Sequence, residues 1–244
     1  MDVVFGMHTS KNVSWILIPA RNEEASLATV IEAVQRIGEH SILEVDSLSS
    51  DKTPQIARDM GTTVISSTQV GYLNALQTGY RFLLQYTDCS SVVQLDADGQ
   101  HDPLHIPRLR GQLKPNSSTP QWVVGSRECT GTQSDGTLSL ANHCLRWYVQ
   151  RLTNHRYGDI SSGFWCLNRA TLQLFLTFAP PNQSADAALR FFAAAHGLFP
   201  IEVPTEMGPR LSGQSMHQGL RTRFSHLINI YQDIQWVNHK RWDR

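Results

Sequence analysis

Apolar and polar positions alternate in blocks along the first hundred residues. An apolar run at residues 13–18 predicts a strand, and apolar positions at helical spacing over residues 27–37 predict the helix after it. The same order then repeats, with strands expected at residues 42–45, 64–65 and 92–95 and helices at 53–60 and 73–84. Strands that alternate with helices are typical of a mostly parallel sheet covered on both faces, so we expect an α/β fold.

The pattern is less regular after residue 114. Strands are expected at residues 122–124, 164–167 and 201–203, a loop at 131–137, and helices at 138–152 and 184–196. A stretch with mixed basic and aromatic residues, 220–242, predicts an amphipathic helix. We therefore expect one α/β domain over residues 1–216 and a helical tail over 217–244.

Polar loops follow the predicted strands at residues 20–24, 46–51 and 96–102. Ligands of open α/β sheets bind beyond the carboxyl ends of the strands, so these loops are the expected site. Asn22 is the expected cap of the first helix, because Glu23 and Glu24 would then lie in its first turn. Asp102 directly precedes Pro103, which also predicts a helix cap.

The most informative loop contains Asp96, Ala97 and Asp98, which leave an apolar strand and enter a turn at Gly99. Two carboxylates here suit Mg²⁺ or Mn²⁺, hard cations that retain waters and bridge to substrate phosphates. The alternative is a solvated turn, in which Asp98 merely precedes a glycine. A metal site for a phosphate-containing ligand is the interpretation that the strand context favours.

Composition narrows the class of protein. The 244 residues are 41% hydrophobic and 17% charged, which is typical of a globular chain. Because 21 basic residues balance 21 acidic ones, no net charge favours nucleic acid. The four cysteines lack a C-x-x-C pair, and neither a leader nor an apolar run long enough for a membrane helix is present, so a cytoplasmic protein is expected.

The motifs resemble those of glycosyltransferase family 2, and within it the dolichol-phosphate mannosyltransferase subgroup. The resemblance rests on six ordered segments: IPARNEE at 18–24, VDSLSSDKT at 45–53, VQLDADGQHDP at 93–103, GSR at 125–127, DISSGF at 159–164, and EVP at 202–204 with RLSGQS at 210–215. It implies a GT-A fold, with a Rossmann-like nucleotide-binding half followed by an acceptor half.

The resemblance also implies roles for individual residues. The implied donor-binding residues are Pro19, Arg21, Asn22, Glu23, Asp46, Ser47, Asp96, Ala97, Asp98, Arg210 and Ser215. The implied metal ligands are Asp96, Asp98 and Gln100. Asp98 and Arg210 would act on the diphosphate, and Asp186 would be the base if the acceptor is a neutral hydroxyl, although a helix N-terminus explains Asp186 equally well. Asp159, Ser162 and Gly163 would shape the acceptor side, with a plain tight turn as the alternative.

The sequence departs from the family in two places. Ser47 stands where a second Asp is usual, and residues 69–75 lack the basic residue that usually precedes their glycine. Neither change removes the expected metal site, but Ser47 supplies no charge toward the base of the nucleotide.

The implied activity is an inverting hexosyltransferase that uses a UDP- or GDP-sugar, with polyprenyl phosphate as the first acceptor and a soluble or glycan hydroxyl as the alternative. The tail is then a candidate contact with the inner face of the membrane or with a membrane-protein partner, although such helices more often dock on their own domain. Two other classes stay open: a non-catalytic nucleotide-sugar-binding protein, and a haloacid dehalogenase-type phosphatase, which needs Thr or Ser at Gln100.

Overall fold

The computed structural model describes residues 13–114, 117–127, 136–185, 187–211 and 220–242. Within these ranges the strands are β1 Val13–Ala20, β2 Ile42–Asp46, β3 Thr63–Ser66, β4 Cys89–Gln94, β5 Trp122–Ser126, β6 Trp165–Asn168 and β7 Ile201–Pro204. The helices are α1 Leu27–Arg36, α2 Thr53–Asp59, α3 Tyr72–Tyr86, α4 Ile106–Arg110, α5 Gly136–Thr153, α6 Arg169–Leu176, α7 Ala187–Ala195 and α8 Leu220–Trp242.

The described strands form one sheet in the order β3-β2-β1-β4-β6-β5-β7. All neighbouring pairs are parallel except those of β6, which runs antiparallel to both β4 and β5. The expected α/β fold with a mostly parallel sheet is confirmed. Because β6 is reversed, the residues that lead into it lie at the edge where the parallel strands end.

Alternate residues of each strand point to opposite faces of the sheet, and each face has its own core. On β1, Leu17 packs with α3, α6 and α7, whereas Ile16 and Ile18 pack with α1 and α4. Both faces are covered, which explains why the strands appear in the sequence as apolar runs rather than as alternating ones.

Two features beyond residue 100 differ from the sequence expectation, and one agrees with it. Gly136 and Thr137 belong to α5 and not to a loop, while residues 131–135 of that expected loop lie outside the described residues. The short helices α4 and α6 were not predicted, because each is only one or two turns long and follows a strand or a turn directly. Asp102 does cap the turn at Pro103–His105, since its side chain accepts a hydrogen bond from the Leu104 amide.

The C-terminal helix α8 docks on the domain. Its residues Ile230, Ile234 and Val237 are buried in the core on the α7 side. Its fully buried Asp233 accepts hydrogen bonds from the amides of Asn182 and Ser184, at 3.0 and 2.9 Å, and thereby fixes the segment before α7. None of the helices within the described ranges has the length and apolar character that crossing a bilayer requires.

Candidate active site

A cavity of about 430 Å³ opens at the carboxyl edge of the sheet. It lies between the ends of β1 and β2, the first turn of α3 and the loop after β4. It is lined by Pro19, Ala20, Arg21, Asn22, Glu23, Ser47, Val70, Gly71, Tyr72, Ala75, Asp96, Ala97, Asp98 and Arg210. Most of the residues expected to bind a donor therefore surround one space.

The loop after β1 is tied to the loop after β2. Asn22 adopts a left-handed backbone conformation (φ 56°), and its side chain accepts a hydrogen bond from the Ser50 amide at 2.8 Å. The amide of Glu23 donates to Thr53 Oγ1 at 2.8 Å. The expectation that Asn22 caps the first helix is wrong: α1 begins at Leu27 after Ser26, because residues 23–26 form a separate turn first.

Asp46 and Ser47 have different surroundings, although they are adjacent. Asp46 does not line the cavity; its side chain is buried and accepts a hydrogen bond from the Ser49 amide at 3.1 Å. Ser47 does line the cavity, and its hydroxyl oxygen accepts from the Gly71 amide at 3.1 Å. Ser47, at the position where the family usually has a second Asp, thus holds the start of α3 against the end of β2.

Asp96 and Asp98 are held by different partners. The side chain of Asp98 is 5% exposed; its Oδ2 lies 2.9 Å from Arg210 Nη2, and its Oδ1 accepts from the Gln100 amide at 3.0 Å. The side chain of Asp96 is 34% exposed, and its Oδ1 accepts a hydrogen bond from the Tyr72 hydroxyl at 3.0 Å. One carboxylate is thus paired with a cation and the other with a neutral donor.

Arg210 reaches the cavity from a strap at residues 205–211 that lies across the Asp98–Asp102 loop. The Leu211 amide donates to the Asp98 carbonyl and the Gly208 amide to the Gln100 carbonyl, both at 2.9 Å. Gly99 has a positive φ of 79°, and a Cβ there would overlap the Leu211 side chain, so only glycine fits beneath the strap. This close packing brings the Arg210 guanidinium to the carboxylates.

The cavity carries an excess of negative charge. Arg210 Nη1 also lies 3.3 Å from Glu23 Oε1, so one guanidinium faces the carboxylates of Glu23 and Asp98, with Asp96 nearby. Burial raises the pKa of Glu23, and the charges of Asp98 and Asp96 raise it further, while Ser26 and Arg210 lower it. A further cation would relieve the repulsion among these carboxylates.

The residues fit a divalent metal that is completed by its ligand. Within the described parts of the chain, no group of three or more His, Cys, Asp or Glu side chains is arranged to hold a metal ion by itself. Two carboxylates at one strand end are the partial set that Mg²⁺ uses when substrate phosphates supply the remaining oxygens. Arg210 already shows that a cationic group is accommodated against Asp98.

Gln100 lies apart from this set. Its side chain lines a neighbouring cleft beside α1, and its Nε2 is 3.5 Å from the Gly208 carbonyl oxygen. The expected metal ligand is therefore not brought to the two carboxylates, because the turn at Gly99 directs its side chain toward the strap. What Gln100 contributes to Asp98 is its backbone amide.

A second charged group lies at the end of β5. Arg127 binds Asp159 through two hydrogen bonds, at 2.7 and 2.9 Å, and Glu202 accepts from the amides of Gly158 and Asp159. Burial alone would raise the pKa of Asp159, but the hydrogen bonds and charge of Arg127, with the charge of Arg190, lower it to about 2. The expected acceptor-side turn is thus stabilised by an ion pair between a buried carboxylate and a partly exposed arginine.

Several site residues have no motif of their own. The cavity is also lined by Val70 and Gly71, just before α3, and by Tyr72 and Ala75 in its first turn, a segment where the sequence shows only a departure from the family pattern. The proximity of Gly163 to Asp96 could not be expected either, because it depends on the direction of β6. Two expected site residues, Asp186 and Ser215, lie outside the described residues.

Comparison with known proteins finds a glycosyltransferase family model and glycosyltransferase relatives. The model of the family described as "Glycosyl transferase family 2" matches residues 15–173. Uncharacterized glycosyltransferases of Mycobacterium bovis and Mycobacterium tuberculosis are each 28% identical over 223 residues, covering 90% of this chain and 96% of theirs.

Solved structures of similar fold include glucosyl-3-phosphoglycerate synthase from Mycobacterium tuberculosis. Its complex with Mn²⁺, UDP and glucosyl-3-phosphoglycerate has a TM-score of 0.67 and 18% identity, covering 93% of this chain and 80% of that one. Its complex with Mn²⁺, UDP-glucose and phosphoglyceric acid has a TM-score of 0.66, again at 18% identity, covering 93% and 79%. At this identity the likeness shows the fold alone.

Proposed function

The chain belongs to glycosyl transferase family 2, and we propose that it transfers a hexosyl group from a UDP-sugar to a hydroxyl group of a small anionic acceptor. The observation that carries the proposal is the cavity at the carboxyl edge, where Asp96 and Asp98 end a buried strand beside Arg210. The donor is suggested by the similar fold of a synthase solved with UDP-glucose.

Asp98 and Asp96 would hold Mg²⁺ or Mn²⁺ together with the donor diphosphate, in keeping with the Mn²⁺ of that synthase. The metal would supply positive charge to a leaving group that departs with concentrated negative charge. Gln100 is left out of the proposed ligands, because its side chain lies in the neighbouring cleft. We assign Asp96, Ala97 and Asp98 to the donor site because all three line the cavity.

Other residues of the cavity would act on the donor directly. Arg210 lies where its guanidinium can move from Asp98 to a diphosphate oxygen, adding a second positive charge to the leaving group. The loop that contains Arg21 and Asn22 forms the wall at the end of β1, next to Ser47, and would receive the nucleoside. Since the Ser47 hydroxyl oxygen already accepts from Gly71, we expect Ser47 to shape that wall rather than to select the base.

The proposed acceptor differs from the polyprenyl phosphate that the sequence resemblance implied. The synthase of similar fold was solved with phosphoglyceric acid and with glucosyl-3-phosphoglycerate, which favours the alternative, a hydroxyl acceptor. A hydroxyl must lose a proton on attack, and Asp186 is the base that the family resemblance suggests. A membrane contact is not part of the proposal, because three apolar residues of α8, Ile230, Ile234 and Val237, pack against the domain.

The test is a transfer assay with the purified full chain. UDP-glucose, UDP-galactose and GDP-mannose are incubated with Mn²⁺ and with 3-phosphoglycerate, glycerol 3-phosphate or a short polyprenyl phosphate, and released nucleotide and product are quantified. We expect transfer from a UDP-hexose to a phosphorylated hydroxyl compound, loss of it with EDTA, and transfer reduced about a thousandfold with Asp98→Asn. Transfer only to polyprenyl phosphate would overturn the acceptor proposal, and donor binding without turnover would favour the binding-protein alternative.

The stereochemistry of the product gives an independent check. A single displacement by the acceptor hydroxyl inverts the anomeric centre, so an α-linked donor should give a β-linked product. The coupling constant of the anomeric proton in a ¹H NMR spectrum distinguishes the two, and an α-linked product would contradict the single displacement.

A further inference from the structure

A chain of hydrogen bonds leads from the interior of the domain to Asp96. The Tyr80 hydroxyl donates to Gln94 Oε1 at 2.7 Å, and Gln94 Nε2 donates to the Tyr72 hydroxyl at 3.0 Å. The Tyr72 hydroxyl in turn donates to Asp96 Oδ1 at 3.0 Å. Tyr80 and Gln94 are buried, so this chain is fixed by the core and ends in the cavity.

The direction of these bonds is determined by one carbonyl group. Gln94 Nε2 also lies 3.1 Å from the Gly163 carbonyl oxygen, which can only accept. The amide of Gln94 must therefore present its nitrogen to Gly163 and to Tyr72. Since the Tyr72 oxygen accepts from Gln94, its own proton is directed to Asp96.

Asp96 is held from two further sides. Its backbone amide donates to His101 Nδ1 at 3.0 Å, and the His101 ring stacks on Phe164 with a centroid distance of 5.0 Å. A Cβ on Gly163 would lie 2.6 Å from the Tyr72 hydroxyl and 3.2 Å from both Asp96 carboxylate oxygens. Only glycine lets the segment that leads into β6 approach the carboxylate this closely.

We infer that Tyr72, oriented by Gln94, is a positioning residue that holds the Asp96 carboxylate in the geometry needed to bind a metal–diphosphate ligand. The inference rests on the proposed function for its catalytic consequence. Asp96 is partly exposed, and His101 Nε2 already lies 3.8 Å from its Oδ2, so loss of the Tyr72 hydroxyl would release the other oxygen, Oδ1, from its fixed direction. Asp98 does not need such a partner, because Arg210 and the Gln100 amide hold it.

The main test is Tyr72→Phe, which removes one hydroxyl and keeps the ring. We expect kcat to fall about tenfold to a hundredfold, and the affinity for Mn²⁺ with UDP, measured by titration calorimetry, to fall by a similar factor. The matched control is Tyr148→Phe, which removes a 2.7 Å hydrogen bond to Gln235 between α5 and α8. The control should leave kcat and Mn²⁺–UDP affinity unchanged.

A second variant tests the direction of the chain. Gln94→Glu keeps the size of the side chain but replaces its donor by acceptors, so the Tyr72 proton should turn from Asp96 to residue 94. We expect a loss at least as large as that of Tyr72→Phe, and the double variant should be no worse than Gln94→Glu alone, because both changes act through one hydroxyl. Circular dichroism shows whether Gln94→Glu is folded, and Tyr72→Phe carries the test if it is not.

The outcomes separate the two proposals. If no donor is turned over by the wild-type chain, the proposed function fails, while the calorimetric comparison of Tyr72→Phe with the wild type still tests the positioning role. If the wild-type chain is active and Tyr72→Phe matches it in both kcat and Mn²⁺–UDP affinity, the positioning role is refuted. A loss that the Tyr148→Phe control reproduces would also refute it, since stability alone would then explain the effect.

Discussion

Two groups of charged side chains at the same edge of the sheet differ in how completely they are paired. In the pocket group, the carboxylates of Glu23 and Asp98 share the single guanidinium of Arg210, and Asp96 adds a third carboxylate. In the turn group, Asp159 uses both oxygens on Arg127, and Glu202 accepts from two backbone amides. Fully paired charges stabilise the fold, whereas charges left in excess are available to a ligand.

The largest effect should come from the pocket group. Asp98→Asn keeps the size of the side chain but removes the charge that faces the metal–diphosphate, so we expect kcat/KM to fall about a thousandfold, or roughly 4 kcal/mol of transition-state stabilisation. The midpoint of thermal unfolding should change little, because the loss of the Asp98 charge weakens its pairing with Arg210 but also relieves its repulsion of Glu23. Steady-state transfer assays and calorimetric melting measure both, and retained activity would remove Asp98 from the site.

A substitution in the turn group should mainly lower the stability of the fold. Asp159→Asn breaks the ion pair of a buried carboxylate, so we expect the free energy of unfolding to fall by about 2–3 kcal/mol. Because the folded pKa of Asp159 is lowered to about 2, its contribution is present above the unfolded value of 3.8 and is lost as the pH falls through 2. Urea unfolding at pH 7 and in acid tests this, and an equal loss in acid would contradict the assignment.

Arg210 is paired, like the turn group, but it is partly exposed and its partners Glu23 and Asp98 line the cavity that would bind the ligand. Arg210→Gln should lower kcat about tenfold to a hundredfold, or roughly 1.4–2.7 kcal/mol, because the leaving diphosphate loses one positive charge. Mn²⁺ affinity without nucleotide should not fall, because a competing cation has been removed from Asp98. Metal titration followed by electron paramagnetic resonance measures this, and weaker Mn²⁺ binding would mean that Arg210 supports the metal site.

Glu44 belongs to neither group and gives the smallest effect. Both its carboxylate oxygens are buried without a hydrogen-bond partner, and burial, followed by the charge of Asp46, raises its pKa to about 8. Its contribution to stability is therefore complete below the unfolded value of 4.5 and is lost as the pH rises through about 8. Glu44→Gln should be more stable than the wild type at pH 9 by about 1–2 kcal/mol, after relaxation around the buried charge, with no such gain at pH 5. Urea unfolding at the two pH values distinguishes this from a uniform effect.

The first half of the chain could be predicted from the sequence because its signals are local. Each of the strands β1, β2 and β4 contains a short apolar run, and each is followed by a polar loop that reaches the cavity edge. Once these strands are parallel, their loops must meet at one edge. The position of Asp96 and Asp98 in the cavity follows from this topology.

The rest depends on contacts between distant residues. The residues of β6 suggest a strand in either direction, and only its antiparallel pairing with β4 brings Gly163 to Asp96. Asn22 is of a residue type that favours helix caps, but its side chain accepts a hydrogen bond from the Ser50 amide on the next loop. The Gln100 side chain lies toward the strap and not toward the two carboxylates, because the Gly99 turn sets its direction.

The anchoring of the last helix has a practical consequence for anyone who shortens this protein. Asp233 on α8 holds the amides of Asn182 and Ser184, the segment that leads into α7. Deleting α8 as a dispensable appendage would release that segment and expose the apolar surface beneath it. Tags and truncations should therefore leave α8 in place through residue 237. A loss of activity after trimming would reflect a displaced segment before α7 rather than a missing membrane anchor.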